Sequence, residues 1–345
     1  MGVSMQKVSN EIEIIRQLFG SLSEKDKKTF LKSIKFRDEP SKKEQIKRVI
    51  THCPHCNSAN FSKNGKTCGF QRFICKDCKK TFGTRNETIF YAVKKDLSVW
   101  QNYIHCMIEK YSLRKTAQIC GISTRTAFAW RHKILDALQK MQDEVKLDGV
   151  VEADETFLPL SFKGHHKDFS LPRPAKHRGE PATRRGLSRE QVCVSCGVNL
   201  GGLSVSKVSN LGKPSLQDLE KVLTGKIEAD SVLVTDSLRA YLKLARDMEL
   251  NHIRIPRNKY KLGAFNIQTI NSYHSRLKNM LIHSFKGVST KYLNNYLVYN
   301  NFVNFAKDSR NEKEQILLNH IINAECLSKS IEINHRSAIP LPIAS

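Results

Sequence analysis

The chain has 345 residues, with 57 Lys+Arg against 33 Asp+Glu, a formal net charge of +24. That length allows two or three domains and at least one sizeable core, and the charge points to a polyanionic partner, nucleic acid before anionic membrane. No window approaches the roughly 18 apolar residues of a membrane span, the N-terminal MGVSMQKVSN has no signal-peptide core, and Gln6 does not fit a myristoylation pattern. Ten cysteines without a signal peptide suggest a reducing compartment, in which close pairs bind metal or simply pack. The expected location is cytoplasmic, at chromosomal DNA, with no membrane contact.

Residues 8–50 have helical character, with a start signal at Ser23 and Asp26, a break at Pro40 and a second short helix from Lys42 to Val49. The plain reading of residues 1–50 is a helical arm.

Residues 51–92 carry CPHC and CKDC, with eighteen residues between Cys56 and Cys75. Two Cys-x-x-Cys knuckles at this separation converge on one tetrahedral Zn²⁺, held by Cys53, Cys56, Cys75 and Cys78. Asn64-Gly65 predicts a hairpin turn between them, and GFQRFIC a strand, which together make a zinc ribbon. Such a zinc is structural, since four protein ligands leave no open position. Cys68, His52 and His55 are spare donors. Lys63, Lys66, Arg72, Lys76, Lys79 and Lys80 alternate with Phe70, Phe73 and Phe82, a pattern suited to DNA contact, with Arg72 and Lys76 the candidate residues. The plain alternative is a solvated basic surface over a small core.

Residues 93–146 are helical, and YSLRKTAQICGISTRTAFAWRHKIL reads as a helix-turn-helix. Gly121 sits in the turn, Ser123 caps the second helix, and Ala127, Trp130 and Ile134 form its buried stripe. Thr124, Arg125, Arg131 and His132 are then exposed, as a helix entering the major groove requires. A helical hairpin without DNA contact is the alternative.

The stretch VEADETFL, after Asp148 and Gly149, alternates like a half-buried strand. Residues two apart share a face, so Val150, Glu152 and Asp154 lie on one side and Val151, Ala153 and Glu155 on the other. Acids this dense repel one another, and a divalent metal would relieve the repulsion. Residues 161–190, basic and without periodicity, form a long loop. A hairpin follows around Gly201-Gly202. The spacing puts Cys193 and Cys196 on opposite strand faces, so no shared metal is expected. A helix from Leu216 to Leu223 leads to the strand DSVLVTDSLRAY, where the buried VLV run ends at Asp236. In the helix IQTINSYHSRLKNMLIH, near 267–283, Ile270, Tyr273 and Leu277 face the core and Asn271, His274 and Lys278 form a polar stripe. The helix at 291–305 covers the sheet, and another is expected at 312–325. The tail, 309–345, otherwise ends loosely at Pro340 and Pro342.

Two strand-borne aspartates and a third ligand on a helix can hold two Mg²⁺ or Mn²⁺ ions about 4 Å apart for in-line attack on phosphorus, with Lys278 contacting a phosphate as a point charge. Zinc ribbon, helix-turn-helix, VEADET, LVTDSLRAY and INSYHSRLKNMLIHSFKGVSTKYLNNYL, in this order, resemble a bacterial insertion-sequence transposase over residues 20–305. The resemblance implies a multidomain α+β chain whose catalytic domain, 147–308, has an α/β ribonuclease H-like fold. It implies metal-dependent DNA cleavage and strand transfer, element ends recognised as terminal inverted repeats, a target DNA, and a homo-oligomer on DNA. The family's first and second catalytic aspartates fall on Asp154 and Asp236. Its third acid and following basic residue fall on Asn271 and Lys278, so that Asp-Asp-Asn-Lys stands where many relatives have Glu in third place. The competing readings are a DNA-binding regulator and a decayed transposase that only binds DNA.

Overall fold

The computed structural model describes residues 22–23, 25–27, 48–67, 70–165, 171, 173–177, 180–181, 183–259, 261–305 and 310–341. The chain divides into two units, Met1–Gln45 and Ile46–Ser345. In the first, the described residues make one helical turn, and the Ser23 hydroxyl caps it by accepting from the Asp26 amide at 3.1 Å. This is the start signal read from the sequence. The rest of the expected arm lies outside the described residues, apart from residues 48–50, which are not helical.

The second unit begins with a three-stranded antiparallel sheet, β1 (Phe61–Thr67), β2 (Phe70–Cys75) and β3 (Thr81–Gly83), in the order β1-β2-β3. Asn64-Gly65 is not the hairpin turn. The pairing carries on past it to Thr67 opposite Phe70, and the register shifts between Lys63 and Lys66. Gly65, at φ 66°, uses its freedom for positive φ in this bulge instead. Phe61, Phe73 and Phe82 meet edge-on or stacked at 5.4–5.6 Å, so these rings make the ribbon's core. Phe73 and Phe82 therefore do not interleave with the basic residues on a contact face but pack into the ribbon core with Phe61 and Ile50, as in the alternative of a basic surface over a small core.

Three helices follow: α1 (Leu97–Ile108), α2 (Leu113–Ile119) and α3 (Thr124–Asp143). Ser112 and Ser123 cap α2 and α3 through their side chains, and Gly121 takes φ 58° in the turn between them. Trp100 of α1 stacks on Trp130 of α3 at 3.8 Å.

The five-stranded mixed sheet contains β4 (Val150–Pro159), β5 (Gln191–Asn199), β6 (Ser204–Leu211), β7 (Val232–Thr235) and β8 (Asn251–Arg254), in the order β6-β5-β4-β7-β8. The β6-β5-β4 half is an antiparallel meander, and β7 and β8 add in parallel. On one face lie α4 (Leu216–Leu223) and α5 (Ala240–Asp247), which bury Val151, Ala153 and Leu233. On the other lie α6 (Gln268–Asn279), prolonged by the π-turn Met280–Ser284, and α7 (Leu293–Asn304). Leu158, Val194, Cys196 and Val198 on this second face share one continuous core with α1, α3 and α7. The strand alternation therefore has the expected sense, with Cys193 and Cys196 both buried inside β5.

Among the described residues the C-terminal tail is not loose. After α8 (Arg310–Asn323) and α9 (Ser330–Asn334), Arg336 donates from Nη2 to both carboxylate oxygens of Asp136 on α3, each at 2.6 Å. Asn295 and Ser328 donate to the same carboxylate. Sequence periodicity carries no trace of this clamp because its members lie far apart in the chain. No helix among the described residues is long and apolar enough to cross a membrane.

Candidate functional site

Cys53, Cys56, Cys75 and Cys78 converge, with their sulfurs all within 4.8 Å of one another. The Cys53–Cys78 and Cys56–Cys75 separations are 3.7 and 3.5 Å. A tetrahedron of four sulfurs at Zn–S of about 2.3 Å has edges of roughly 3.8 Å, so the donor set fits zinc. The two knuckles have the same local form: Asn57 and Lys79, each just after a second cysteine, take φ 59°. Backbone amides of Cys78 and Asp77 facing the Cys75 sulfur favour the thiolate that zinc requires, while burial and the neighbouring thiols push the Cys56 thiol the other way. His55 stands edge-on to Phe82, and His52 faces Glu87 and Glu325 rather than the sulfurs. Cys68 lies outside the described residues. Arg72 is half-buried and hydrogen-bonded to Thr81, while Lys76 is exposed.

On α3, Thr124 and Arg125 are exposed at the first turn. Arg131 and His132 are not: both are completely buried. Arg131 donates to the Tyr111 carbonyl at 2.9 Å and lies over the Phe285 ring, and His132 packs between Phe128 and Tyr292, each at 4.5 Å. Burial holds the His132 imidazole far below its ordinary range, at about 3, so it is neutral. The expectation of exposure fails because α3 is covered on a second side by α7 and the tail. A helix wheel reveals one apolar stripe but not a neighbour that buries polar residues.

The acids of the sheet are arranged by register. Ala153 pairs with Thr235, so Asp154 and Asp236 stand on the next rung, where β7 ends. Adjacent strands lie about 5 Å apart, so the two residues are near neighbours, and Asp154 is on the face toward α6, where His274 meets it. Such a position, at the carboxyl end of parallel strands, is where open α/β sheets bind ligands. Burial, with the Asp236 carboxylate beside it, raises the Asp154 carboxyl to about 6, and Lys278 on α6 partly offsets this. Asp236 accepts from the Leu238 amide at 2.9 Å through one oxygen.

Helix α6 brings His274 and Lys278 of the polar stripe to Asp154. Asn271 and Lys278 are exposed, whereas His274 is buried. The His274 Nδ1 lies 3.9 Å from Asp154 Oδ2, and its Nε2 is buried without a hydrogen-bond partner among the described residues. Burial keeps this imidazole neutral, at about 4. Glu155 points to the other face, as the alternation requires, and accepts from the buried Tyr241 hydroxyl at 2.6 Å. Its carboxyl is raised to about 7 by burial, opposed by that hydrogen bond and reinforced by Asp154 and Asp236. Sequence reading passed over Tyr241, because no spacing rule links a helix tyrosine to an acid 86 residues earlier.

Two carboxylates crowded together in a half-buried position suit a divalent cation, and the chemistry of the set is all oxygen apart from the neutral His274. The basic segment between β4 and β5 is irregular in its described residues. Its base is held by Glu190, which accepts from Thr183 N and Oγ1 at 2.7 Å each.

Residues 146–302, which include Asp154, Asp236, Asn271 and Lys278, match the model of the ISXO2-like transposase domain. Residues 48–79, with all four zinc-site cysteines, match the model of the InsA N-terminal domain, a zinc ribbon. Together the two matches are those of an insertion-sequence transposase with an N-terminal zinc ribbon. It is also similar to an uncharacterized protein in transposable element ISH50 of Halobacterium salinarum, at 25% identity over 249 residues, or 71% of this chain and 82% of that protein. The helices α1–α3 fall between the two matched segments of this transposase.

Proposed function

We propose that this transposase catalyses metal-dependent cleavage and strand transfer of DNA, with Asp154, Asp236, Asn271 and Lys278 as its catalytic residues. The observation that carries the reading is the adjacency of Asp154 and Asp236 on neighbouring parallel strands beneath α6, within the segment that matches the transposase domain. Asp154 and Asp236 would hold Mg²⁺ or Mn²⁺, which when bound supplies Lewis-acid assistance to phosphoryl transfer. Asn271 offers a neutral amide oxygen to the same site. Lys278 places a cation beside Asp154, in reach of a phosphate drawn to the carboxyl edge of the sheet. Half-burial of the aspartates limits competing water. The strand order β6-β5-β4-β7-β8, three antiparallel strands followed by two parallel ones, supports a ribonuclease H-like fold.

The ribbon and the α2–α3 pair serve as DNA-binding modules in this reading. The serine-capped first turn of α3, with Thr124 and Arg125 outward, is suited to the major groove, and Arg72 and Lys76 to the phosphate backbone. The partners are double-stranded DNA, both the element's terminal inverted repeats and the target, and further copies of the chain on that DNA.

The test is cleavage or joining of a DNA fragment bearing the element's ends by purified protein with Mg²⁺ or Mn²⁺. Asp154→Ala and Asp236→Ala should abolish it and retain end binding; equal activity in either variant rejects the site. Asn271 favours one second reading, a transposase that binds DNA without cutting it, because its amide brings no charge to the cation. Wild-type protein that binds ends but never cuts, while Asn271→Glu restores cutting, would establish that reading.

A further inference from the structure

Glu152 is a buried carboxylate in the middle of the sheet, 1% exposed, on the same face of β4 as Asp154 and two residues before it. Its Oε2 accepts from the Ile270 amide at 2.8 Å, across 118 residues of sequence. Ile270 is the third residue of α6, and its amide is one of the first-turn donors that a helix cannot satisfy internally. Asn266, just ahead of the helix, accepts from the Gln268 amide at 2.9 Å, but Ile267 at the N-cap position makes no side-chain cap bond and the first turn contains no acid, which leaves Glu152 as the acceptor for Ile270. No Lys, Arg or His among the described residues forms an ion pair with Glu152. The positive end of α6 is thus the partner in view for this charge.

The residue after Ile270 is Asn271. Ile270, Tyr273 and Leu277 pin α6 to the core, and the Tyr273 hydroxyl hydrogen-bonds Asn301 of α7 at 2.6 Å. These contacts fix how the helix rolls and how deep its middle sits. The height of its first turn above β4 is set at the Glu152 contact, and β4 is the strand that carries Asp154. We propose that Glu152 is a positioning residue, whose carboxylate holds the N-terminus of α6 to β4 and so sets where Asn271 stands relative to Asp154. This rests on the proposed transposase site and names the element that keeps its helix-borne member in register with its strand-borne members. A displacement near 1 Å at a reacting centre costs roughly 100-fold in rate, which is the scale at stake.

Reach and charge can be separated by substitution in the full chain. Glu152→Gln keeps the length and an acceptor oxygen but removes the charge; Glu152→Asp keeps the charge but withdraws it from Ile270; Glu152→Ala removes both. With Mn²⁺ and a DNA fragment bearing the element's ends, Glu152→Gln should cleave within about 5-fold of wild type. Glu152→Asp and Glu152→Ala should fall by roughly 10- to 100-fold, with end binding unchanged. In an Asn271→Ala background, Glu152→Ala should add less than about 3-fold, because residues acting through one another are not additive.

A Gln variant as impaired as the Ala variant would overturn the proposal, since charge rather than the hydrogen bond would then matter. So would full additivity with Asn271→Ala. If Glu152→Ala does not fold, the Gln and Asp variants decide the point alone. Amide hydrogen exchange separates this inference from the reading it rests on: Ile270 should be protected in wild type and Glu152→Gln and exchange at least 10-fold faster in Glu152→Asp. An inactive wild type with that exchange pattern rejects the transposase activity but keeps the anchor; unchanged exchange rejects the anchor whatever the activity.

Discussion

The zinc ribbon and the acidic edge of the mixed sheet are both clusters of metal-seeking side chains, yet they stand in opposite relations to the fold. In the ribbon four thiols lie within 4.8 Å over an apolar core of few residues, so the ion completes the fold. In the sheet the apolar core is extensive, and Asp154 and Glu155 are acids that this core half-buries at a cost. One site contributes stability through its ligand, while the proposed catalytic site subtracts stability by burying charge.

The largest expected effect breaks the first half of this comparison. Cys75→Ser should release one zinc per chain and open residues 51–92 to protease, while the far-UV signal of the sheet persists. Structural zinc in small modules carries an apparent 10–16 kcal/mol, far more than three short strands supply alone. Metal analysis with limited proteolysis checks it, and a zinc-free ribbon that resists protease would count against the closed-site reading.

Next in size is the second half. Asp236→Asn should lower DNA cleavage by roughly 10³-fold, the scale for losing one preorganised electrostatic group. Asp154→Asn should do the same and, unlike the ribbon change, raise stability of the metal-free protein above pH 7 by on the order of 2 kcal/mol. Chemical denaturation followed at two pH values reads both parts, and a destabilised Asp154→Asn would contradict the stated cost.

The same cost predicts a pH dependence. Asp154 is raised from 3.8 to about 6 and Glu155 from 4.5 to about 7, so the folded chain holds protons that the unfolded chain has released. With respect to these two groups, stability of the metal-free protein should therefore be greatest below about pH 4, fall as pH rises to about 7, and level off above it. Mg²⁺ at pH 8 should recover part of the loss, measured as a rise in Tm that is absent in Asp154→Asn.

Three smaller effects sharpen the picture on α3. Arg336→Ala removes a bidentate partner from Asp136 and should cost about 1–3 kcal/mol in urea unfolding. Arg125→Ala should leave stability unchanged, weaken DNA binding several-fold and reduce the salt slope by roughly one contact. Arg131→Ala should do the reverse, destabilising the fold because its side chain is buried among α3, α7 and the π-turn.

What could be read from the chain itself was what near neighbours in sequence decide. The Cys-x-x-Cys spacing forces each knuckle, and alternation in VEADET puts Asp154 and Glu155 on opposite faces. Helix caps at Ser112 and Ser123 act within four residues, and the start of α4 at Leu216 is fixed by its own capping box with Ser215 and Asp218. The position of Asp236 was legible as the end of an apolar run, which made it the partner for the acids of VEADET, and the resemblance narrowed those acids to Asp154. Tertiary structure alone decided that α7 and the tail cover Arg131 and His132, that Tyr241 holds Glu155, and that Glu152 reaches Ile270. Each of these depends on a contact between residues tens to hundreds of positions apart. Local periodicity reports only that a face is apolar or polar, and not which partner will cover it.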